Sequence, residues 1–171
     1  MVKVSIALIL TLLLMVTAGP VVGEEMARES SNSGKNYWTG TFDALPMGEE
    51  RVQMNYVAHG VSVSDTGKGI FHNASGHVVE GLLAVKGIYE NDSGFVSVTR
   101  TDGDKVFYTY EASGTLGKSA KGTFTFVGGT GKFVGIQGSG EFTRHSLRPP
   151  AKGFFASFSV SKFNWKLPEV K

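Results

Sequence analysis

The chain has no cysteine among its 171 residues. This absence excludes disulfide bonds, thiol nucleophiles, cysteine-ligated zinc and iron–sulfur clusters. A domain of this length needs no such cross-links, because a chain of about 150 residues buries ~68–70% of the surface that it exposes when unfolded. In an exported chain, the absence of cysteine fits a bacterial periplasm or cell surface better than a small, disulfide-rich secreted scaffold.

The chain also lacks a block of basic residues. Its 17 lysines and arginines are nearly balanced by 15 acidic residues, and the formal net charge is only +2. Nucleic-acid binding depends on clustered cations on one face of a domain. The sequence therefore predicts no nucleic-acid partner.

Long hydrophobic runs are absent beyond the N-terminus. There, Lys3 is followed by an almost unbroken apolar run over residues 4–16 and then by small residues. This order is typical of a secretory signal peptide, with cleavage after Gly23, or after Ala18 as a second choice. A membrane anchor is the alternative, but the run is shorter than the ~20 residues that span a bilayer. We therefore predict a secreted or periplasmic protein with no transmembrane segment once residues 1–23 are removed.

The rest of the chain divides into a short leader and one domain. Residues 24–36 are polar and have no apolar period, which predicts a flexible leader. Residues 37–168 have the length of one domain and no internal linker, so they are predicted to form a single unit.

Helical periodicity is nearly absent from this domain. Apolar and polar residues instead alternate with a period of two, as in 51–64, or form short runs rich in β-branched and aromatic residues. The run 77–89 is apolar on both faces and leaves a helix open, but Gly81 and Gly87 within it favour a strand. An Asp-Gly pair at 102–103 is typical of a hairpin turn. Strands are predicted at 37–42, 51–64, 70–74, 77–89, 95–100, 105–112, 123–127, 141–147 and 153–165.

This series of eight or nine short strands predicts an all-β fold, either an antiparallel barrel or a sandwich. A closed barrel leaves no exposed sheet edge. The interior of a small barrel is just wide enough for side chains or for one small ligand.

Glycine is densest between residues 126 and 142. Because glycine tolerates positive φ and close backbone contact, this stretch predicts a tight corner, a short turn of helix at Lys132 and Phe133, and a return to the sheet. The glycines that we assign to this structural corner are Gly128, Gly129, Gly131, Gly135 and Gly138.

The same stretch, Phe-Val-Gly-Gly-Thr-Gly-Lys-Phe-x-Gly-Ile-x-Gly-x-Gly at 126–140, resembles the signature of the allene oxide cyclase and dirigent superfamily, above all its bacterial secreted members. The resemblance implies an eight-stranded, antiparallel, calycin-like β-barrel that assembles into homodimers or homotrimers. It also implies a largely apolar pocket for a lipid-derived or phenolic compound, whose ring closure or coupling proceeds without a cofactor. In that superfamily the glycine motif shapes the barrel and does no chemistry, so it nominates no catalytic residue.

Three tyrosines and one glutamate are the candidate site residues. Tyr56, Tyr108 and Tyr110 share strand faces with apolar residues, so they either line a ligand pocket or fill the core. Glu80 lies in an otherwise apolar run and is the weak candidate for a catalytic acid or base, because burial would raise its pKa. An outward-facing Glu80 is the competing interpretation and the one that we favour from the sequence.

Other catalytic signatures are missing. The chain has four histidines, but none is placed in a compact ligand pattern with a carboxylate or a second histidine, so no metal site and no cofactor are predicted. No Gly-x-Ser-x-Gly elbow nominates a serine nucleophile. Residues 112–119 resemble a phosphate-binding loop, but a strand rather than a helix is predicted to follow them.

Three functions remain compatible with this sequence. The first is an exported barrel that binds a small apolar or amphipathic molecule without turnover. The second is a cofactor-independent cyclase or isomerase that uses the same pocket. The third is a structural protein with a filled barrel, which a pocket of ~300 Å³ or more would argue against.

Overall fold

The computed structural model describes residues 27–169. The predicted signal peptide, residues 1–23, and the start of the predicted leader lie outside the described residues. Within them, no helix is long and apolar enough to cross a bilayer.

Eight antiparallel strands form a closed barrel, which confirms the all-β barrel prediction. Each strand pairs with its neighbours in the sequence, and β1 pairs with β8 to close the sheet. A 3-10 turn, Gly131–Phe133, lies between β6 and β7, where the sequence predicts a short turn of helix. The strands are β1 (Glu29–Pro46), β2 (Arg51–Ser64), β3 (Ala74–Val85), β4 (Ile88–Thr99), β5 (Lys105–Thr115), β6 (Ala120–Gly129), β7 (Gln137–Leu147) and β8 (Phe154–Lys166).

The prediction of a flexible leader at 24–36 is partly wrong, because residues 29–36 form the first half of β1. Residues 29–36 pair with β8, and residues 34–36 also pair with β2. Their apolar period is absent because the barrel interior on this side is polar. Asn36 points inward, accepts a hydrogen bond from Ser62 Oγ at 2.6 Å and donates one to Ser161 Oγ at 3.3 Å.

The predicted strand 70–74 is instead a turn followed by the first residue of β3. Ile70 and Phe71 lie in the connection between β2 and β3, and their side chains are buried. The ring of Phe71 lies 4.8 Å from the ring of Phe163 on β8. The side chains of Ile70 and Phe71 therefore close one end of the barrel, and these two residues are not part of a strand of its wall.

The run 77–89 has extended rather than helical structure, as predicted, but it belongs to two strands, β3 and β4, instead of one. β3 and β4 meet at Lys86 and Gly87, which both have positive φ, of 53° and 77°. Such a pair forms the two-residue turn that fits the twist of a hairpin. Residues 90–94, which fall between two predicted strands, are in fact part of β4, with a register shift between Tyr89 and Asp92.

The two ends of the barrel differ. The connections 65–73, 100–104 and 130–136 meet at the closed end, together with the buried side chain of Phe133. The connections 47–50, 86–87, 116–119 and 148–153 surround the opposite end, which we call the mouth.

Candidate functional site

A charged cluster lies inside the barrel near the mouth. Inward positions of β3, β4, β5 and β7 place Glu80, Asp92, Tyr110 and Arg144 there. Gly94 on β4 pairs with Glu80 on one side and with Tyr110 on the other. A Cβ atom at Gly94 would lie 2.8 Å from Glu80 Cβ and 2.8 Å from Tyr110 Cε1. The missing side chain therefore lets the glutamate and the tyrosine meet across β4.

Hydrogen bonds and ion pairs connect all four side chains. The Tyr110 hydroxyl donates to Glu80 Oε2 and lies 3.1 Å from Asp92 Oδ1. Arg144 Nη2 donates to Asp92 Oδ2, and Arg144 Nη1 lies 3.8 Å from Glu80 Oε2. Arg144 Nη2 also lies 3.5 Å from the Tyr89 hydroxyl. The arginine therefore bridges two carboxylates that the tyrosine joins from the other side.

Burial makes these charges strongly interdependent. The side chains of Asp92, Glu80 and Arg144 are only 1%, 6% and 16% exposed. Burial, and then the Asp92 carboxylate, raises the pKa of Glu80 above its ordinary value, although Arg144 and the Tyr110 hydroxyl act in the opposite direction. Burial, and then the charge of Glu80, raises the pKa of Tyr110, so its hydroxyl stays protonated. The raised pKa makes Glu80 the candidate for proton transfer within the cluster.

Two voids meet at this cluster. The first is a cleft of about 200 Å³ that opens at the mouth, with Tyr56, Tyr89 and Leu116 among its lining residues. The second is an inner cavity of about 50 Å³ deeper in the barrel, with Phe71 and Phe124 among its lining residues. The residues that border both voids are Glu80, Arg144, Phe155 and Ser157. The charged cluster therefore forms the floor of the cleft and the roof of the inner cavity.

The structure places the predicted site residues in this region. Glu80 points inward, so the outward-facing interpretation favoured from the sequence is wrong. Tyr56 lines the cleft, whereas Tyr108 and Tyr110 line the inner cavity. All three tyrosines also belong to the buried core, so pocket lining and core packing are not exclusive here.

The glycine corner is separate from this site, because it lies at the closed end. Positive φ values occur at Gly128, Gly131, Gly135 and Gly138. At Gly129, an added Cβ would lie 2.6 Å from Phe133 Cβ. These contacts agree with a structural assignment for the corner.

Sequence reasoning missed two members of the cluster as site residues, Asp92 and Arg144. Asp92 lies in a polar stretch that ends in glycine and reads as a turn, and nothing local distinguishes it from a surface residue. The available signal for Glu80 was its position in an apolar run. The signal that Glu80 contacts Tyr110 was Gly94, which leaves space between their side chains once the strand register is known.

Metal and phosphate sites find no support in the described part of the chain. Residues 27–169 contain no group of three or more histidine, aspartate or glutamate side chains arranged to hold a metal ion. His59 and His77 stack on the outer wall, with ring centroids 4.8 Å apart. Residues 112–119 lead directly into β6 at Ala120, so the loop precedes a strand rather than a helix.

The fold and the site define an antiparallel eight-stranded barrel with a buried acid–base cluster at its mouth. No protein-family model matches the chain, and no curated protein matches it. Among solved structures, it is similar to a pterocarpan synthase dirigent protein, with 12% sequence identity over 86% of this chain and 92% of that chain, and a TM-score of 0.26. At this TM-score, no residue and no activity of that protein is transferred.

Proposed function

We propose that the barrel binds a small apolar or amphipathic molecule at its mouth. One observation carries the proposal: the cleft has aromatic and aliphatic walls, and a buried charged cluster lies at its floor. This combination suits a ligand whose apolar part packs on Tyr56 and Leu116 while a polar atom reaches Glu80 and Arg144. A few placed polar groups within an apolar lining are typical of small-molecule sites.

The charge of the cluster limits the class of ligand. Two carboxylates face one guanidinium, so a further anion would be repelled, whereas a carbonyl oxygen can accept from Arg144 and a hydroxyl can accept from Arg144 or donate to Glu80. The cleft of about 200 Å³ is smaller than the ~300 Å³ at which pockets for drug-sized ligands begin. The ligand is therefore a small, neutral, oxygenated molecule, or a longer one that protrudes from the mouth.

A cofactor-independent cyclase or isomerase is the second candidate, and the position of Glu80 favours it. A carboxyl with a raised pKa at the junction of two voids can take a proton from one atom of a substrate and return it to another. Such a step needs no oxidant and no cofactor, because the proton count of the substrate is unchanged. Arg144 would stabilise negative charge that develops on a substrate oxygen. The resemblance of the glycine motif points to the same class of reaction.

A ligand panel tests the proposal. We expect intrinsic fluorescence or thermal-shift titration to detect binding of phenolic or lipid-derived oxygenated compounds. Leu116→Asn should weaken binding, because it places an amide on the apolar wall of the cleft. Leu45→Asn is the matched control, since Leu45 is 63% exposed and lies outside the cleft lining. Absence of binding by any compound, or equal effects of both variants, would contradict the proposal.

Turnover separates the two candidate functions. Mass-spectrometric detection of a rearranged product with the wild type, but not with Glu80→Gln, would support the cyclase or isomerase. Bound compounds recovered unchanged would leave binding without turnover as the function.

We also propose that the protein is exported after removal of residues 1–23. The signal-peptide pattern at the N-terminus supports this proposal. The measurement is the intact mass of protein recovered outside the cytoplasm of its host. Recovery of the uncut chain in the cytoplasm would contradict export.

Finally, we propose that the mature chain forms a homo-oligomer through the outer face of β2–β4. The outward positions within 53–63, 75–85 and 93–99 carry no Asp, Glu, Lys or Arg. Exposed apolar side chains occupy this face, including Val57, which pairs with Val79, and Phe95, which is 71% exposed. Depletion of charge marks the core of protein interfaces, and an uncharged face meets a second copy of itself without repulsion. Three strands of this length cover roughly 500 Å² per copy, or about 1,000 Å² in total, which reaches the lower limit for a specific interface.

A further inference from the structure

The inward face of β8 presents serine at three successive positions. Ser157, Ser159 and Ser161 are all buried. The same inner cavity is lined on its other sides by large apolar groups such as Phe71 and Phe124. Small hydroxylated side chains on β8 therefore leave space that larger residues would fill, and they give one wall of the cavity a polar surface.

These serines differ in their hydrogen bonds. Ser161 Oγ accepts from Asn36 Nδ2 at 3.3 Å and donates to the carbonyl oxygen of Gly34 at 3.4 Å. Ser157 Oγ is buried and has no hydrogen-bond partner among residues 27–169. A buried hydroxyl without a partner destabilises the fold, so native structures keep such a group mainly where it serves a purpose.

The position of Ser157 indicates that purpose. It borders both the cleft and the inner cavity, as do Glu80 and Arg144. A molecule that enters the cleft and reaches the charged floor therefore arrives beside Ser157. Within residues 27–169, the other fully buried polar side-chain atom without a partner is His72 Nδ1, and His72 lines neither void.

We propose that Ser157 is a ligand-recognition residue, whose hydroxyl forms a hydrogen bond with an oxygen atom of the molecule bound at the mouth. This inference rests on the proposed function, because it assigns a subsite within the same cleft. It sets the specificity of that site: an oxygenated molecule gains a partner at Ser157, whereas a hydrocarbon of the same shape leaves the hydroxyl unpaired.

The first test compares the thermal stability of two serine variants. Ser157→Ala removes an unpaired hydroxyl, so we expect the melting temperature of the ligand-free protein to stay the same or rise. Ser161→Ala is the matched control on the same strand. It removes two hydrogen bonds, so its melting temperature should fall by a few degrees. An equal fall for both variants would show that Ser157 already has a structural partner and would overturn the inference.

The second test measures the discrimination between a hydroxyl and a methyl group. The probes are p-cresol and p-xylene, or the tightest-binding hydroxylated compound of the ligand panel and its methyl counterpart. We expect the ratio of the two affinities to shift roughly tenfold toward the methyl compound in Ser157→Ala, and to stay at the wild-type value in Ser161→Ala.

The outcomes separate this inference from the proposed function. A wild-type protein that binds no compound of the panel contradicts the proposed function itself. A wild-type protein that binds, with an affinity ratio that Ser157→Ala leaves unchanged, contradicts only the role of Ser157.

Discussion

Within the mouth of the barrel, Glu80 is the residue whose protonation couples stability to pH. Its pKa lies above the ordinary value of 4.5, because burial and then Asp92 disfavour the charged form. A carboxyl with a raised pKa in the folded state contributes stability that is fully present below its unfolded pKa. That contribution is lost as the pH rises through the folded pKa.

The first prediction therefore concerns Glu80→Gln. An amide cannot ionise, so we expect the wild type to lose stability relative to this variant as the pH rises above about 4.5. Urea unfolding of both proteins from about pH 4 to about pH 8 measures the difference. Glu111→Gln is the control, because it makes the same chemical change at an exposed position on β5. Parallel pH profiles for wild type and Glu80→Gln would count against a buried, pKa-shifted carboxyl.

The second prediction concerns two tyrosines on one strand. Tyr110→Phe removes the hydroxyl that joins Glu80 and Asp92, and we expect a loss of about 1–3 kcal/mol in the free energy of unfolding. Tyr108→Phe is the matched variant, because the Tyr108 hydroxyl makes no hydrogen bond within residues 27–169. Its replacement should change stability far less. Similar losses in urea unfolding for both variants would mean that the Tyr110 hydroxyl has no special role.

Individual residues show how far the sequence alone could lead to the site. Glu80 is conspicuous because its neighbours in the run are apolar, and the three tyrosines are conspicuous because they alternate with apolar residues. Asp92 and Arg144 are not conspicuous in the sequence. Their burial depends on the register of four strands that are distant in the sequence. A long-range cluster of this kind has no local pattern.

At the level of secondary-structure elements, most strands follow from alternation, and the errors have a common cause. β2 is found at the predicted residues 51–64, because both of its faces obey the period of two. β1 begins earlier than predicted because polar residues line its part of the interior. The boundary between β3 and β4 was missed because its turn, at 86–87, interrupts an apolar run without the usual asparagine or aspartate.

The third prediction concerns Gly138, the glycine of the corner that lies within β7. Gly138 has φ of 135°, and an added Cβ would clash with the Asn164 carbonyl oxygen and lie 2.8 Å from Trp165 Cα. We expect Gly138→Ala to cost at least about 3 kcal/mol, from backbone strain and overpacking together. Gly103→Ala is the control, because Gly103 has φ of 87° but open space around it, and strain alone costs about 1–2 kcal/mol. Equal losses in urea unfolding would show that close packing at Gly138 does not matter.

At the scale of the whole molecule, charge is distributed unevenly around the barrel. The outer faces of β5–β8 carry charged residues such as Glu111, Lys121, Glu141 and Lys162, whereas the central outward positions of β2–β4 carry none. Large uncharged patches with exposed apolar side chains are uncommon on monomers and usually mark interaction sites. The closed sheet itself offers no free edge, so assembly has to proceed through a face of the barrel.

The fourth prediction follows from this asymmetry. Phe95→Lys places a charge on the uncharged face, beside Val79 of β3, so we expect it to convert a dimeric or trimeric mature protein into a monomer. Light scattering coupled to size-exclusion chromatography measures the mass in solution. Thr125→Lys is the matched control, because Thr125 is exposed on the outer face of β6. A monomeric wild type, or an oligomer that survives Phe95→Lys, would contradict the proposed interface.

The most direct test of the central claim, a barrel that holds a small molecule over its buried charged floor, is native mass spectrometry of the mature protein purified from its host. We expect an excess mass of a small neutral compound on the folded protein, which disappears when the same sample is unfolded. A folded protein that carries only its polypeptide mass, from the native host and under gentle ionisation, would contradict it.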